Sequence, residues 1–248
     1  MDMYIPLVIT FMAWVGGGFV SLVTGFGCGL FAMPIMLLCV PTEQAIPVNC
    51  VLCCVAMSLI LVKFWGNIDW RHFLWMSAAA VPGSFLGVYV LKTSPVYWLE
   101  LGFGLFLIVC AIWESVRKYV LRNARPISST PLELFFAFLS GFIDGLIGMG
   151  GPAMALYATL ACWDKDMTRG TFGIFFGINL TLSVFLQYQS GLLGPGELEL
   201  IAWAVPGALL GTLIGIPVAG KIRQDTFMKL LLSIILLSGL VIVFKGLF

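Results

Sequence analysis

The stretch that decides the fold is residues 141–152, which read GFIDGLIGMGGP inside an otherwise apolar segment. A weaker copy precedes it, because residues 25–29 read GFGCG within a similar apolar stretch. Glycine in a lipid-embedded helix contributes no apolar side chain and loosens the backbone. Two such breaks at corresponding places predict a site where main chain faces a polar solute, and this pattern is typical of transporters.

The composition places the chain in a membrane. Hydrophobic residues make up 60% of the 248 positions and charged residues 10%, and the mean hydropathy is +1.06. A soluble core of this size could not bury so much apolar surface, so we expect a multi-pass integral membrane protein whose partner is the lipid bilayer. The net charge of +1 and the lack of a basic stripe argue against a nucleic-acid partner. The amino terminus lacks a signal-peptide pattern and is expected to belong to the mature protein.

The hydropathy pattern predicts ten apolar segments and an all-α fold. They are residues 5–23, 28–40, 46–64, 72–91, 96–113, 132–149, 151–163, 170–190, 198–219 and 227–247. Most reach the ~20 residues that a helix needs to cross a bilayer. The second segment of each half has only about 13 residues, which is too short to cross comfortably. Each half is therefore predicted to open with a helical hairpin, fully spanning or re-entrant, that bends at its glycine cluster.

Basic residues predict the orientation of these segments. The polar stretch 114–131 carries Arg117, Lys118, Arg122 and Arg125, which places it in the cytoplasm. Counting crossings from this stretch puts eleven basic side chains on the cytoplasmic side and two, Lys92 and Lys245, outside. Both termini are then expected outside, on the periplasmic face of a cell inner membrane.

The same count predicts two repeats of opposite orientation. Five segments in each half give a first repeat over residues 1–113, a cytoplasmic basic linker over 114–131 and a second repeat over 132–248. The duplication is also visible in sequence, because VPGSFLG at 81–87 recurs as VPGALLG at 205–211. Inverted repeats with interrupted helices indicate a secondary transporter whose substrate site lies between the halves.

The breaks suggest how an anion could be bound. A helix that begins inside the membrane presents free N–H groups and the positive end of its dipole, which hold an anion without a buried arginine. We expect the substrate-binding residues to be Gly25, Gly27, Gly148, Gly150, Gly151, Pro152, Asn49 and Asn179. The alternatives are close helix packing for the glycines and interhelical hydrogen bonding for the asparagines.

Two charged residues complete the predicted site. Asp144 is the one acidic residue well inside a predicted segment, where ionisable groups are costly and usually functional. It is expected to carry a proton coupled to anion movement or, alternatively, to bond the backbone at the bend as a neutral acid. Arg169 stands at the cytoplasmic entry of segment 170–190 and is predicted to attract anions or to anchor the orientation of the segment.

The sequence predicts no catalytic residue, metal ligand or cofactor. The seven cysteines lie nearly all in apolar segments and are interpreted as packing thiols, and the one histidine, His72, is assigned to an interfacial loop. With no paired intramembrane carboxylates and no nucleophile–histidine set, an enzyme is not expected. A carrier and an anion channel both remain open.

Residues 141–152 resemble the signature of the sulfite exporter TauE/SafE family, and residues 18–34 resemble its amino-terminal signature. The first copy departs in having Ser21 where the second has Asp144, and Cys28 where the second has Gly151. The resemblance covers essentially the whole chain, including its length, duplicated halves and basic middle loop. It implies a transporter of sulfite, sulfonates or other organosulfur anions, with a non-sulfur organic anion as an alternative. The inverted halves favour transport by alternating access. An exposed glycine or alanine face could pair two copies as a homodimer.

Overall fold

The computed structural model describes residues 4–25, 27–120 and 129–218, and every regular element in these ranges is a helix. The helices are α1 (Tyr4–Thr24), α2 (Cys28–Met36), α3 (Thr42–Phe64), α4 (Trp70–Thr93), α5 (Val96–Val120), α6 (Thr130–Ile147), α7 (Gly151–Leu160), α8 (Lys165–Gln189) and α9 (Pro195–Val218). A single 3-10 turn, Trp65–Asn67, joins α3 to α4. The prediction of an all-α fold is confirmed, and the predicted segment 227–247 lies outside the described residues.

Six helices in the described ranges are long and apolar enough to cross a membrane, namely α1, α3, α4, α6, α8 and α9. Helix α5 is apolar over a shorter stretch, Tyr97–Cys110. It continues to Val120, into the polar stretch 114–131. The chain is therefore built to pass through a bilayer several times, as the hydropathy pattern predicted.

The two short helices are half-length and fold back along their neighbours. Helix α2 has 9 residues and α7 has 10, which corresponds to about 14 and 15 Å, or half of a hydrocarbon core of about 30 Å. The Trp14 indole N–H donates to the Met36 sulfur at 3.0 Å and joins α1 to the end of α2. The Tyr157 hydroxyl donates to Glu133, so α7 returns toward the end at which α6 began.

Glycine is required at the bends of both hairpins because the backbone there enters the left-handed region. Gly25 and Gly27 have φ of +85° and +93°, and Gly148, which follows α6, has φ of +70°. Residues with a Cβ atom rarely adopt this conformation. The chain therefore turns back at these glycines, between α1 and α2 and between α6 and α7.

Close glycine packing joins helices from the two predicted halves. A Cβ atom on Gly83 or Gly87 of α4 would fall against the carbonyl oxygens of Phe138 and Phe142 on α6. Residue numbers rise together along the two helices, so α4 and α6 run parallel. Helices α1 and α9 pack in the same way, through glycines of the second VPG motif. Small residues one turn apart allow this close backbone approach.

The central helices α3 and α8 run in opposite directions. Gly170 of α8 packs against the Phe64 carbonyl, and Gly173 packs against Leu61, so residue numbers rise on one helix as they fall on the other. Helices α3 and α8 are the third elements of the two predicted repeats. Opposite directions for corresponding helices are what inverted repeats require, and the inverted-repeat arrangement itself stays a prediction.

Candidate functional site

A small cavity lies where the two bends meet. The first break contributes Gly27, Cys28, Gly29 and Leu30, the second contributes Gly148, Met149, Gly151 and Pro152, and side chains of Asp144, Cys53, Met57, Phe176 and Leu180 complete the wall. The cavity measures about 20 Å³, which is enough for a water molecule. The structure therefore brings the two glycine clusters, more than 100 positions apart in sequence, to one place.

The Asp144 carboxyl group lies at the amino-terminal end of α7 and is almost completely buried. Its Oδ1 atom accepts a hydrogen bond from the Gly150 N–H at 2.6 Å. Its Oδ2 atom accepts one from the Asn179 amide at 2.8 Å. The positive end of a helix dipole favours a negative group in this position. Asp144 of α6 therefore caps the half-length helix of its own hairpin while also lining the cavity.

Asn179 is held in one orientation by a second hydrogen bond. The Ser84 hydroxyl of α4 donates to Asn179 Oδ1 at 2.8 Å, which leaves the amide nitrogen to donate to Asp144. All three side chains are buried. Asn179 is not among the residues that line the cavity, and its amide contacts the carboxyl group that is. The sequence interpretation missed Ser84, although it lies inside the repeated VPGSFLG motif.

Residue 150 must be a glycine because its neighbours leave no space for a Cβ atom, and not because of its backbone conformation. Its φ of −66° suits any residue, but a Cβ atom there would lie 2.8 Å from the Asp144 carboxyl carbon and would clash with the carbonyl and hydroxyl oxygens of Ser140. The Ser140 hydroxyl also donates to the Gly150 carbonyl at 3.0 Å. Ser140 was not predicted, and the available signal was its position one turn before Asp144 on the same helix face.

Asn49 of α3 contacts main chain of the second break. Its Nδ2 atom donates to the Ile147 carbonyl at 3.1 Å and lies 3.4 Å from the Gly148 carbonyl. These carbonyls end α6 and have no partner within the helix. On the other side, the backbone of Gly29 packs closely against the Asn49 amide. Asn49 thus contacts both bends. Its hydrogen bond to α6 is of the interhelical kind that the sequence analysis gave as the alternative to substrate binding.

The first break differs from the second in its capping. Ser21, which corresponds to Asp144, donates its hydroxyl hydrogen back to the Gly18 carbonyl at 2.8 Å. Among the described residues no side chain caps α2, whose first turn begins at Cys28 beside the cavity. The amino-terminal end of α7 is thus occupied by a carboxylate of its own hairpin, whereas the corresponding end of α2 is open to the cavity.

Two thiols lie on the cavity wall. Cys28 and Cys53 join α2 to α3, with their sulfur atoms 3.2 Å apart. The Cys53 thiol also lies 3.7 Å from the Gly148 carbonyl. Across the described ranges, no three histidine, cysteine or acidic side chains approach closely enough to share a metal ion.

Gly25 and Arg169 lie together, beyond the residues that line the cavity. A Cβ atom on Gly25 would be 3.1 Å from the Arg169 side chain. The Arg169 guanidinium lies over the Phe64 ring at 5.4 Å and 3.5 Å from the Asp166 carboxylate. Gly25 and Arg169 therefore lie near the start of α8 and do not line the cavity.

Comparison with known proteins agrees with this architecture. Residues 10–242 match the family described as Sulfite exporter TauE/SafE. A similar curated protein is the "Probable membrane transporter protein YunE" of Bacillus subtilis (strain 168), which is 22% identical over 263 residues covering 93% of this chain and 95% of the relative. No solved structure matches the chain significantly. The resemblance read from residues 141–152 is confirmed: the chain is a multi-pass membrane transporter and belongs to the TauE/SafE family.

Proposed function

We propose that this protein is a secondary transporter of a small sulfur-containing anion, such as sulfite or a sulfonate, that binds in the cavity between the two helix breaks. The family's description favours a sulfur anion. The observation that carries the proposal is the meeting of both breaks around one cavity, with the amino-terminal end of α2 open to it.

The anion is bound by main chain at the first turn of α2. The N–H groups at the start of a helix have no partner within the helix, and the dipole adds a partial positive charge. Cys28 and Gly29 supply such groups at the cavity wall. Glycines on both sides let the backbone approach a tetrahedral or pyramidal anion closely, as in other helix-terminus anion sites.

Asp144 couples a proton to the anion. Its carboxyl group lines the same cavity, so an incoming anion meets a like charge at short distance whenever Asp144 is ionised. Such repulsion is strong where little water screens it. Binding of the anion is therefore favoured when Asp144 carries a proton, and proton and anion move together.

Transport proceeds by alternating access of two inverted halves, residues 1–113 and 132–248, joined by the cytoplasmic linker 114–131. The antiparallel α3 and α8 support this arrangement. The cavity has room for water alone, so the helices around it must separate to admit an anion. Arg169 lies on the cytoplasmic approach and attracts the anion. Both termini face the periplasm, and the protein works in the inner membrane alone or as a homodimer.

A matched pair of substitutions at Ser21 tests the anion site. Ser21→Asp places a carboxylate at the position corresponding to Asp144, where it caps α2 and competes with the anion. Ser21→Asn is the control, because it adds similar volume and a capping oxygen to this buried position without the charge that repels the anion. Currents are measured on a solid-supported membrane with proteoliposomes given sulfite, sulfate, thiosulfate, small sulfonates and carboxylates, each at two pH values.

We expect Ser21→Asp to reduce the sulfur-anion current at least tenfold relative to Ser21→Asn. Equal currents in the two variants would count against α2 as the anion site. Wild-type protein that responds to none of the sulfur anions, while transporting a cation or a neutral solute, would overturn the proposed substrate class. Saturation and counterflow separate a carrier from a channel.

A further inference from the structure

A second buried carboxyl group, Glu133, lies far from the cavity. It belongs to the first turn of α6, and its side chain is 4% exposed. Glu133 precedes Asp144 by eleven positions, which is about 16 Å along a helix. Ionisable groups buried in membrane proteins are costly and mark functional sites, and neither the anion site nor its capping uses Glu133.

Each oxygen of Glu133 has its own partner on a different helix. The Oε1 atom lies 2.7 Å from Nδ1 of His72 on α4. The Oε2 atom accepts a hydrogen bond from the Tyr157 hydroxyl on α7 at 3.3 Å. His72 was assigned to an interfacial loop from sequence, but it occupies the first turn of α4. Its imidazole is 25% exposed and packs against the Trp163 ring, so it connects the buried carboxyl group to water.

The contacts place helix α7 between two carboxyl groups of α6. Asp144 holds its amino-terminal end through Gly150, and Glu133 holds its other end through Tyr157. Positions 133, 140 and 144 share one face of α6, the face along which α7 packs. Whatever changes the charge at Glu133 therefore acts on the helix whose other end lines the cavity.

We propose that His72 and Glu133 form a proton-binding site, separate from Asp144, whose charge sets how firmly Tyr157 holds α7 against α6. The inference rests on the proposed function, because it assigns a regulatory proton to that transporter. An imidazole exchanges a proton between pH 5 and 8. With the proton bound, the pair is an imidazolium and a carboxylate; without it, a buried carboxylate faces two neutral groups.

Within the part of the chain that the structure describes, few other charged groups lie near this pair. Tyr157 approaches from α7, and the Asp69 carboxylate caps α4 by accepting the N–H groups of Arg71 and His72. The start of α8 contributes charged groups near Trp163, namely Asp164, Asp166 and Arg169. Asp164 accepts N–H groups of its own helix, and Asp166 pairs with Arg169. The described contacts therefore leave the imidazole as the partner whose charge alters that of Glu133.

The single histidine of the sequence allows a direct test. Protein labelled with nitrogen-15 in the imidazole and purified through a histidine-free tag gives one set of ring signals by nuclear magnetic resonance. We expect these signals to follow one transition between pH 5 and 8, and Glu133→Gln to displace that transition by one pH unit or more. Glu43→Gln, which neutralises an exposed carboxylate at the start of α3, leaves it in place.

Ring signals that stay constant over this range, or that titrate identically in Glu133→Gln, overturn the proposal. The measurement needs no transport activity, so its failure is distinguishable from failure of the anion site. If Glu133→Gln does not fold, the wild-type titration and two milder variants still decide whether the proposal holds. His72→Asn keeps a donor near the Nδ1 position without an imidazole, and Tyr157→Phe removes only the hydroxyl group.

Sulfite currents in proteoliposomes then report the effect on transport. We expect the ratio of currents at pH 6 and pH 8 to change at least threefold in His72→Asn, and in the same sense in Tyr157→Phe. Glu43→Gln keeps the wild-type ratio. If His72→Asn and Tyr157→Phe both keep the wild-type ratio of currents, the proposed link between the His72–Glu133 proton and the packing of α7 is overturned.

Discussion

At the scale of one residue, Asp144 both caps a helix and lines the cavity. Its carboxylate accepts hydrogen bonds from Gly150 and Asn179 while lining the cavity. Hydrogen bonds to a charged group contribute about 1.5–3 kcal/mol each. The carboxyl group therefore occupies one helix end, whereas no described side chain caps the corresponding end of α2, where we propose that the anion binds.

Replacing Asp144 by asparagine is expected to reduce the pH dependence of transport to the part contributed by His72 and Glu133, while preserving the fold. The amide retains an oxygen that accepts from the Gly150 N–H, so α7 stays capped, but it binds no proton at physiological pH. The measurement is the sulfite current from pH 5.5 to pH 8 in proteoliposomes. Currents in Asp144→Asn that follow pH as the wild type does would remove Asp144 from the coupling mechanism.

Ser84→Ala should weaken the positioning of Asn179. Without the hydroxyl donor, Asn179 Oδ1 loses a buried partner, and a buried acceptor left unsatisfied costs about 1–3 kcal/mol. The thermal unfolding midpoint in detergent should fall, together with the transport rate. Ser58→Ala is the matched control, because that hydroxyl is exposed and bonds only its own helix. Equal midpoints for the two variants would contradict the role of Ser84.

At the scale of elements, glycines determine which helices approach closely. Gly83 and Gly87 of α4 are one turn apart, and each meets a carbonyl oxygen of α6. Backbones in such contact leave no space for a methyl group, and lipid supplies no hydrophobic force to replace the lost packing. The parallel α4–α6 pair carries Ser84 on one helix and Asp144 on the other, so this contact sets the geometry of the site.

Gly87→Ala is expected to destabilise the α4–α6 pair. The added Cβ atom would meet the Phe142 carbonyl and lie 2.8 Å from the Leu146 nitrogen, and forced overpacking of this kind costs about 1–3 kcal/mol. Gly102→Ala on α5 is the control, since an added Cβ atom there meets nothing within 4 Å among the described residues. Thermal unfolding in detergent compares them. A loss of stability as large in Gly102→Ala would contradict the packing explanation, because alanine at an open helical position should stabilise the helix.

At the scale of the whole molecule, helix directions constrain the topology. Helices α4 and α6 run parallel with one long helix, α5, between them in the chain. A chain can place two helices parallel across a membrane only if an odd number of crossings separates them. This agrees with the two oppositely oriented halves that the sequence predicts and with the opposite directions of α3 and α8.

Both termini are therefore expected on the periplasmic side. Alkaline phosphatase, which is active only outside the cytoplasm, should be active when fused to either end of the chain. A fusion within the linker 114–131 should be inactive, which controls for leakage. Activity at one terminus alone would rule out two inverted repeats of five segments.

Much of the site was predictable because hydropathy and glycine are local signals. The hairpin bends followed from residues 25–29 and 141–152, and Asp144 stood out as a charge in an apolar stretch. Ser84 and Glu133 were missed for a different reason. The role of a serine in an apolar motif, or of a glutamate near a helix start, depends on the side chain that it contacts. For Ser84 and Glu133 that side chain lies on another helix.

The sequence alone determined the membrane class, the helical segments, the two bends and the family, because each depends on composition or on neighbours along the chain. Only the tertiary structure decided that both bends share one cavity, that Asp144 caps α7 while no described side chain caps α2, and that His72 reaches Glu133. These contacts depend on the rotation and depth of each helix against the others. Packing of backbones at glycine contacts fixes that rotation and depth, and hydropathy is insensitive to it.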